Sequence, residues 1–235
     1  MESLENHPLY VCTQILRNTP QKQIRVFRHT KLGRFVLERI LRDNFDPSVY
    51  QWLSQVSHPN LPQIYEVREE EGCICILEEY FDSIPLSTIL EDRPFGKEEV
   101  KSIAIQICNA LEVLHRNGIV HRDIKPENVL IDKNGAVKLI DYDAAKTYKE
   151  GENRDTRALG TPGYAAPEQY GIAQSNERTD IFSLGVLINL LLTGEHPSVR
   201  LCGRPFHKIV RKCTVIENRS RYSNILALKR ALLCT

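Results

Sequence analysis

The sequence predicts an α+β fold with two lobes, a small β-rich lobe followed by a larger, mainly α-helical lobe. Before residue 80 the chain has short β-like runs separated by turn signals, and after residue 95 apolar residues recur at helical spacing. The chain has 235 residues, of which 42% are hydrophobic and 26% are charged. This length can bury a sizeable core, and the composition excludes a disordered, collagen-like or coiled-coil protein.

The charge balance and the cysteine count limit the class of protein further. Lys and Arg number 31 against 30 Asp and Glu, so nothing favours binding to nucleic acid. We expect no membrane segment, because no apolar run reaches the roughly 18 residues that a spanning helix needs. The polar, acidic start does not resemble a signal peptide, and the seven cysteines are an odd number, so we expect reduced thiols and a cytoplasmic location. The spacing of Cys73 and Cys75 does not match a zinc knuckle, so we interpret them as small apolar residues.

The first part of the chain contains five predicted strands and one predicted helix. The strands are Tyr10–Leu16, Gln23–His29, Arg34–Leu41, Ile64–Val67 and Cys73–Glu79. Gly, Pro and Asn residues between them mark turns. A helix is predicted at Pro47–Val56, because Asp46 and Pro47 resemble an N-cap followed by Pro at the first helical position.

The second part contains three predicted helices. Apolar residues from Val100 to Leu114 recur at three- and four-residue spacing and predict an amphipathic helix that Gly118 ends. Thr179–Thr193 is apolar nearly all round and predicts a buried helix, and Ser223–Cys234 predicts a third. Two short strands, Val129–Ile131 and Val137–Ile140, lie between the first two helices.

A polar octapeptide follows the first of these helices and reads His121-Arg122-Asp123-Ile124-Lys125-Pro126-Glu127-Asn128. It resembles the H-R-D-x-x-x-x-N catalytic loop of eukaryotic-type (Hanks-type) Ser/Thr protein kinases. Phosphoryl transfer needs a carboxylate near the incoming hydroxyl, a cation near the moving phosphate and an oxygen ligand for Mg²⁺. The resemblance assigns these roles to Asp123, Lys125 and Asn128. It also implies that Arg122 either pairs with a phosphate on the activation loop or only packs that loop.

A second motif, Asp141-Tyr142-Asp143, follows the strand that ends at Ile140 and resembles the D-F-G metal motif. The resemblance implies that Asp141 and Asn128 hold Mg²⁺ and bind the cofactor ATP, with Tyr142 packed inward where the family has Phe. Asp143 departs from the family pattern, because Gly at this place normally lets the backbone flip.

The segment from Gly160 to Gln169 resembles the peptide-positioning segment that ends in A-P-E. The resemblance implies that Thr161 bonds to Asp123 and Lys125 and positions a Ser/Thr substrate. It implies a buried ion pair between Glu168 and Arg221.

Two further expectations concern the second lobe. Asp180, at the start of the family's central helix, is expected to hold the catalytic-loop backbone. The activation loop is expected to run from Asp141 to Glu168, with Thr156 as the preferred phosphosite and Thr147 and Tyr148 behind it.

The resemblance covers roughly residues 100–225 and is greatest to bacterial Ser/Thr kinases of the Firmicutes type. It implies a single kinase domain over residues 1–235, with an N-lobe at about 1–80, a hinge at about 79–84 and a C-lobe at about 85–235. It also implies a protein substrate or protein partner.

The first lobe departs from the family's phosphate-binding motifs. The glycine-rich loop G-x-G-x-x-G-x-V falls on the run from Thr19 to Val26, which keeps the final valine as a cofactor-binding residue but has no glycine. The V-A-I-K motif falls on the four residues that end at Glu38, so a carboxylate is expected at the lysine place unless a bulge shifts the register. The helix glutamate that normally pairs with this lysine is expected near Val49 or Tyr50, where no acid is present.

The hinge-like run from Leu77 to Phe81 is expected to bind adenine through backbone groups of Glu79 and Phe81. Glu78 occupies the gatekeeper place, which is usually apolar. If Glu38 and Glu78 both faced a cleft, they would share a proton, bind a cation or point away from each other. The alternative is that both side chains are outward and solvated.

Three functional hypotheses therefore follow. In the first, the protein is an active kinase whose substitute phosphate-binding cation is one of Lys22, Arg25, Arg28 or Arg39. In the second, it is a pseudokinase that serves as a binding or scaffold module. The third, a small-molecule kinase of the aminoglycoside type, is disfavoured by the peptide-docking segment.

Overall fold

The computed structural model describes residues 4–42, 45–70, 72–148, 161–170 and 174–235. The chain divides into two compact units, Met1–Asp82 and Ser83–Thr235. The first is mostly β-sheet and the second mostly helical, so the predicted α+β class is confirmed. All seven cysteines are free, as the sequence predicted. Among the described residues, no helix combines the length and the apolar character that a membrane span requires.

The first unit is an antiparallel sheet of five strands in the order β1-β2-β3-β5-β4. The strands are β1 (Tyr10–Asn18), β2 (Lys22–His29), β3 (Phe35–Arg42), β4 (Ile64–Glu70) and β5 (Cys73–Glu79). Each overlaps its predicted run, because alternating side chains and the intervening turn residues are local signals. Helix α1 (Ser48–Leu53) is shorter than predicted, and it buries Val49, Tyr50 and Leu53.

The second unit contains three short antiparallel strand pairings and five helices among its described residues. The strands are β6 (Ile84–Pro85), β7 (Ile119–Val120), β8 (Val129–Ile131), β9 (Val137–Leu139) and β10 (Lys146–Thr147). The helices are α2 (Leu86–Asp92), α3 (Lys97–Arg116), α4 (Glu177–Thr193), α5 (His207–Cys213) and α6 (Ile225–Leu233). Helices α2 and α5 were not predicted, because each has only seven residues and shows little periodicity.

The two long helices begin and end as their sequences indicate. Gly118 has a φ of 69°, which lets the chain leave α3 and pass through β7 to His121. Helix α4 begins after Asn176, whose side-chain oxygen accepts a hydrogen bond from the Arg178 N–H, and it ends at Gly194 with a φ of 73°. The end of α3 therefore determines where the polar segment that begins at His121 starts.

Candidate active site

The predicted catalytic residues of the second unit meet at the carboxylate of Asp123. The Thr161 hydroxyl donates a hydrogen bond to Asp123 Oδ1 at 2.7 Å, and Lys125 Nζ lies 2.7 Å from Asp123 Oδ2. Lys125 also donates to the Thr161 hydroxyl oxygen at 2.8 Å. The amide nitrogen of Asn128 donates to Asp123 Oδ2 and to its backbone carbonyl, both at 2.8 Å. The bonds predicted from Thr161 to Asp123 and Lys125 are thus confirmed.

The backbone of the loop that carries Asp123 is held by hydrogen bonds to Asp180 of α4. Asp180 is fully buried, and its carboxylate accepts hydrogen bonds from the backbone N–H groups of His121 at 2.9 Å and Arg122 at 2.8 Å. His115 donates a third hydrogen bond through Nε2, at 2.8 Å. Burial raises the pKa of Asp180, but the hydrogen bond from His115 and the nearby charges outweigh burial and lower it. The structure confirms the predicted contact between Asp180 and the loop backbone.

The backbone of Arg122 has a φ of 71°, which is unusual for a residue other than glycine. The Asp180 carboxylate binds its N–H, and the side chain of Gln169 donates to its carbonyl at 2.7 Å. These two buried bonds over-determine a conformation that would otherwise be strained. Sequence reasoning missed Gln169, although it directly follows the A-P-E triplet and could have been found from that position.

His121 connects the catalytic loop to the segment that carries Asp141. Its Nε2–H donates to the carbonyl of Ile140 at 3.2 Å, and its Nδ1 accepts from the Asp123 N–H at 3.3 Å. Burial lowers the pKa of His121, in opposition to the carboxylates of Asp180, Asp123 and Asp141, so the ring is neutral. The neutral ring is what allows one nitrogen to donate and the other to accept.

The Asp141 segment follows β9 and lies against the catalytic loop. The N–H of Ile140 donates to the carbonyl of Asn128 at 2.9 Å. Because Asp141 directly follows Ile140, this bond fixes the backbone next to Asp141 against the backbone of Asn128. Tyr142 is buried as predicted, with its ring 5.1 Å from that of His121 and its hydroxyl donating to the Leu139 carbonyl at 2.7 Å. Asp141 has a φ of 69°, whereas Asp143 is not among the described non-glycine residues with positive φ. The missing glycine therefore causes no backbone strain at residue 143 in this conformation.

The donor atoms in this region fit a magnesium ion. Mg²⁺ prefers carboxylate and amide oxygens. Asn128 uses its amide nitrogen for Asp123, which leaves its amide oxygen for a cation, and Asp141 supplies a carboxylate.

Glu168 and Arg221 form the predicted buried ion pair. The guanidinium donates to both carboxylate oxygens, at 2.7 and 3.0 Å, and the Arg221 side chain is completely buried. Thr179 and Asn218 add hydrogen bonds of 2.9 and 2.8 Å to the same carboxylate. Burial raises the pKa of Glu168, but the bonds from Arg221 outweigh burial and lower it, so the carboxylate is charged. Asn218 was not predicted, because the family motif that assigned Arg221 to Glu168 assigns no role to Asn218.

The predicted phosphosites are only partly described. Thr156 lies outside the described residues. Thr147 pairs with Ile119 at the end of β10, and both Thr147 and Tyr148 are exposed.

In the first unit, the turn between β1 and β2 lies where the family has its glycine-rich loop. The Thr19 hydroxyl accepts from the Lys22 N–H at 3.0 Å and donates to the Lys22 carbonyl at 3.1 Å. Val26 is buried in β2. At the end of β5 the Glu79 N–H donates to the carbonyl of Gln63 at 2.9 Å, and Phe81 is partly exposed. The binding of adenine by Val26, Glu79 and Phe81 stays a prediction.

The register of the sheet corrects the interpretation of Glu38 and Glu78. In β3, Leu37 lies opposite Glu78, and Glu38 lies opposite Leu77. Successive side chains of a strand point to opposite faces, so the two glutamates lie on opposite faces of the sheet. They neither face each other nor point into solvent, because both are buried.

Each of these buried glutamates is paired with an arginine. Glu38 accepts a hydrogen bond from Arg25 at 2.6 Å and one from the Leu4 N–H at 3.0 Å, and Arg25 also binds Glu5. Glu78 is paired with Arg39 at 2.9 Å. In β3, Arg39 shares the face of Glu78, whereas Glu38 lies on the opposite face.

Comparisons with known proteins agree with these motifs. The family model described as "Protein kinase domain" matches residues 48–230. The serine/threonine-protein kinase PknB of Mycolicibacterium smegmatis is 32% identical over 207 residues, which cover 81% of this chain and 33% of that protein. A probable serine/threonine-protein kinase PknB of Lactococcus lactis is 33% identical over 180 residues, or 72% of this chain and 29% of that protein. A probable serine/threonine-protein kinase of Clostridium perfringens is 33% identical over 72% of this chain and 26% of its own length. The chain thus spans about a third or less of these relatives.

Proposed function

Because the chain belongs to the protein kinase domain family, we propose that it transfers the γ-phosphoryl group of ATP to Ser or Thr residues of a protein substrate. The observation that carries this proposal is the joint hydrogen bonding of Asp123, Lys125 and Thr161. The names of its bacterial relatives support the Ser/Thr class. We also propose that residues 1–235 form a single kinase domain with the boundaries given above.

The geometry supports a role for each polar group. Asp123 orients the incoming hydroxyl and accepts its proton, and Lys125, 2.7 Å from that carboxylate, stabilises negative charge on the moving phosphoryl group. Thr161 fixes both side chains relative to each other. Asn128 and Asp141 would hold Mg²⁺, which neutralises phosphate charge when it is bound. We infer a cytoplasmic location from the free thiols.

The second candidate is a pseudokinase. It is favoured by the first unit, where no glycine lies between Thr19 and Val26 and the Thr19 hydroxyl closes the turn. Incorporation of phosphate into protein distinguishes the two candidates, because a pseudokinase does not catalyse it.

The test combines binding with turnover. ATP with Mg²⁺ at about 100 times its dissociation constant should stabilise the folded chain by roughly 2.7 kcal/mol in a thermal melt. Incorporation of labelled phosphate into a mixed Ser/Thr peptide library should then fall by about 10²- to 10⁴-fold in Asp123→Asn. The matched control is Asp92→Asn, which changes an exposed aspartate at the end of α2 and should leave the rate unchanged. Binding without incorporation would favour the pseudokinase, and full activity in Asp123→Asn would contradict the assignment of the catalytic carboxylate.

A further inference from the structure

One face of the first unit's sheet carries a basic residue and an acidic residue where the phosphate-binding motifs were expected. Leu37 lies opposite Val26 of β2 and opposite Glu78 of β5. Arg39 is two residues beyond Leu37 on a strand whose pairing is continuous with both neighbours, so it shares the face of Val26 and Glu78. Glu38 and its partner Arg25, which lie opposite each other, are on the other face.

The Arg39 and Glu78 side chains form a buried ion pair. Arg39 donates to Glu78 Oε1 from Nη2 at 2.9 Å and from Nε at 3.3 Å. The two side chains are only 4% and 5% exposed. Replacing a buried ion pair with apolar side chains of similar volume is often neutral or stabilising, because desolvation of the charges is costly. Stability alone therefore gives a weak reason for two charges in the interior of this sheet.

The short helix α1 has no acidic residue that could pair with Arg39. Protein kinases hold their strand-three lysine with a glutamate from the following helix, and the position of that helix controls the pair. Here α1 has six residues, Ser48 to Leu53, and none of them is acidic. The acid that meets the strand-three cation is instead on the neighbouring strand β5.

We infer that Glu78 is a positioning residue that holds the Arg39 guanidinium as the phosphate-binding cation of the first unit. This inference rests on the proposed function. Strands β3 and β5 pair from Val36 to Arg42, so the sheet itself holds the carboxylate and the guanidinium in register. The cation is then positioned without any contribution from the helix. Arginine suits this role, because its planar guanidinium is always charged and can bind phosphate oxygens in a bidentate manner.

The other candidate cations are less suited to this role. Arg25 lies on the opposite face and binds Glu38 and Glu5. Arg28 is exposed near the end of β2, opposite Phe35. Lys22 shares the face of Arg39, but it lies opposite Leu41, four residues along β3 from Leu37, which pairs with Glu78.

The experiment uses the full chain and measures the KM for Mg·ATP, the kcat and the dissociation constant of Mg·ATP. We expect Arg39→Met to raise both the KM and the dissociation constant at least tenfold, and Arg39→Lys to restore most of the affinity because it keeps the charge. Glu78→Gln keeps the volume and an oxygen that can accept both hydrogen bonds from Arg39, but it loses the charge that fixes Arg39, so we expect a severalfold rise in KM. A purely structural role would change the stability of these variants but not the dissociation constant of Mg·ATP.

The matched controls are Arg25→Met and Glu38→Gln, which change the buried pair on the opposite face. They should reduce stability to a similar extent but leave the dissociation constant of Mg·ATP unchanged. Where Arg39→Met does not fold, Arg39→Lys and Glu78→Gln decide the question, because both retain a hydrogen-bonding group at the pair.

The outcomes separate this inference from the proposed function. If the wild-type chain does not bind Mg·ATP, the proposed function fails and the inference fails with it. If the wild type binds Mg·ATP and Arg39→Met binds it as well as Arg25→Met does, the inference alone fails. Tighter binding by Glu78→Gln would also overturn it, because Glu78 would then compete with phosphate for Arg39.

Discussion

Replacing Arg221 with methionine tests how much the buried ion pair between Glu168 and Arg221 stabilises the second unit. All five N–H donors of Arg221 are used. Two bind Glu168, and the others bind the carbonyls of Val215, Ile216 and Arg178 at 2.8 to 3.1 Å. Arg221→Met leaves the Glu168 carboxylate buried without its cation, with neutral donors such as Thr179 and Asn218. Loss of one partner from a buried ion pair costs about 3–5 kcal/mol.

This loss corresponds to a decrease in the unfolding midpoint of about 6 to 20 °C, at roughly 2–4 °C per kcal/mol for a chain of this size. Thermal unfolding followed by far-UV circular dichroism measures this midpoint, because the helices lie mainly in the second unit. Arg93→Met serves as the control, since Arg93 pairs with Glu99 at the surface, and it should hardly change the midpoint.

The same variant has a defined pH dependence. In the wild type the folded state lowers the pKa of Glu168 from 4.5, so this carboxylate contributes stability above about pH 4.5 that is lost as the pH falls through its lowered pKa. In Arg221→Met the guanidinium is absent, so burial dominates and raises the pKa of Glu168. At low pH the carboxylate is then protonated, and the cost of burying its charge disappears. The stability difference between wild type and variant should therefore be large at pH 7 and smaller at pH 4. A difference below about 1 kcal/mol at pH 7, or an equal difference at both pH values, would refute the reasoning about a buried charge.

Two further predictions concern the active site and the helix packing. Thr161→Val removes the hydroxyl between Asp123 and Lys125 and should lower kcat for peptide phosphorylation by about 10- to 100-fold. Thr161→Ser keeps the hydroxyl and should retain most of the kcat. Equal rates in the two variants would show that the hydroxyl does not position Asp123 and Lys125. A Cβ atom at Gly185 of α4 would overlap Cys213 of α5, so Gly185→Ala should reduce stability by about 1–3 kcal/mol. Adding Cys213→Gly should restore stability in the same denaturation assay, and a fully stable Gly185→Ala would contradict the close contact of these helices.

The local elements and the catalytic motif were largely predictable from the sequence. The strands and the long helices depend on period-2 and period-3.6 patterns, and their ends depend on nearby residues such as Gly118 and Gly194. The contacts of Thr161, Asp180 and Glu168 were predicted because a family motif assigns a partner to each of them. Helices α2 and α5 were missed, since seven residues are too few for a reliable period.

The pairing of charges within the first unit could not be predicted from the sequence. Motif spacing placed Glu38 at the lysine place, and alternation along β3 alone could not show which face meets Glu78. That depends on how β3 pairs with β5, because a shift of one residue would move every side chain to the other face.

The sequence by itself predicted the α+β class, the five strands of the first unit and the long helices, because these depend on periodicity within short segments. Its resemblance to the kinase family added the prediction that Asp123 is the catalytic carboxylate. Only the tertiary structure decided which arginine pairs with which glutamate, since Arg39 and Glu78 are 39 residues apart and are brought together by strand register. The physical reason is that burying a charge requires a specific partner at hydrogen-bonding distance, and only the folded sheet specifies that partner.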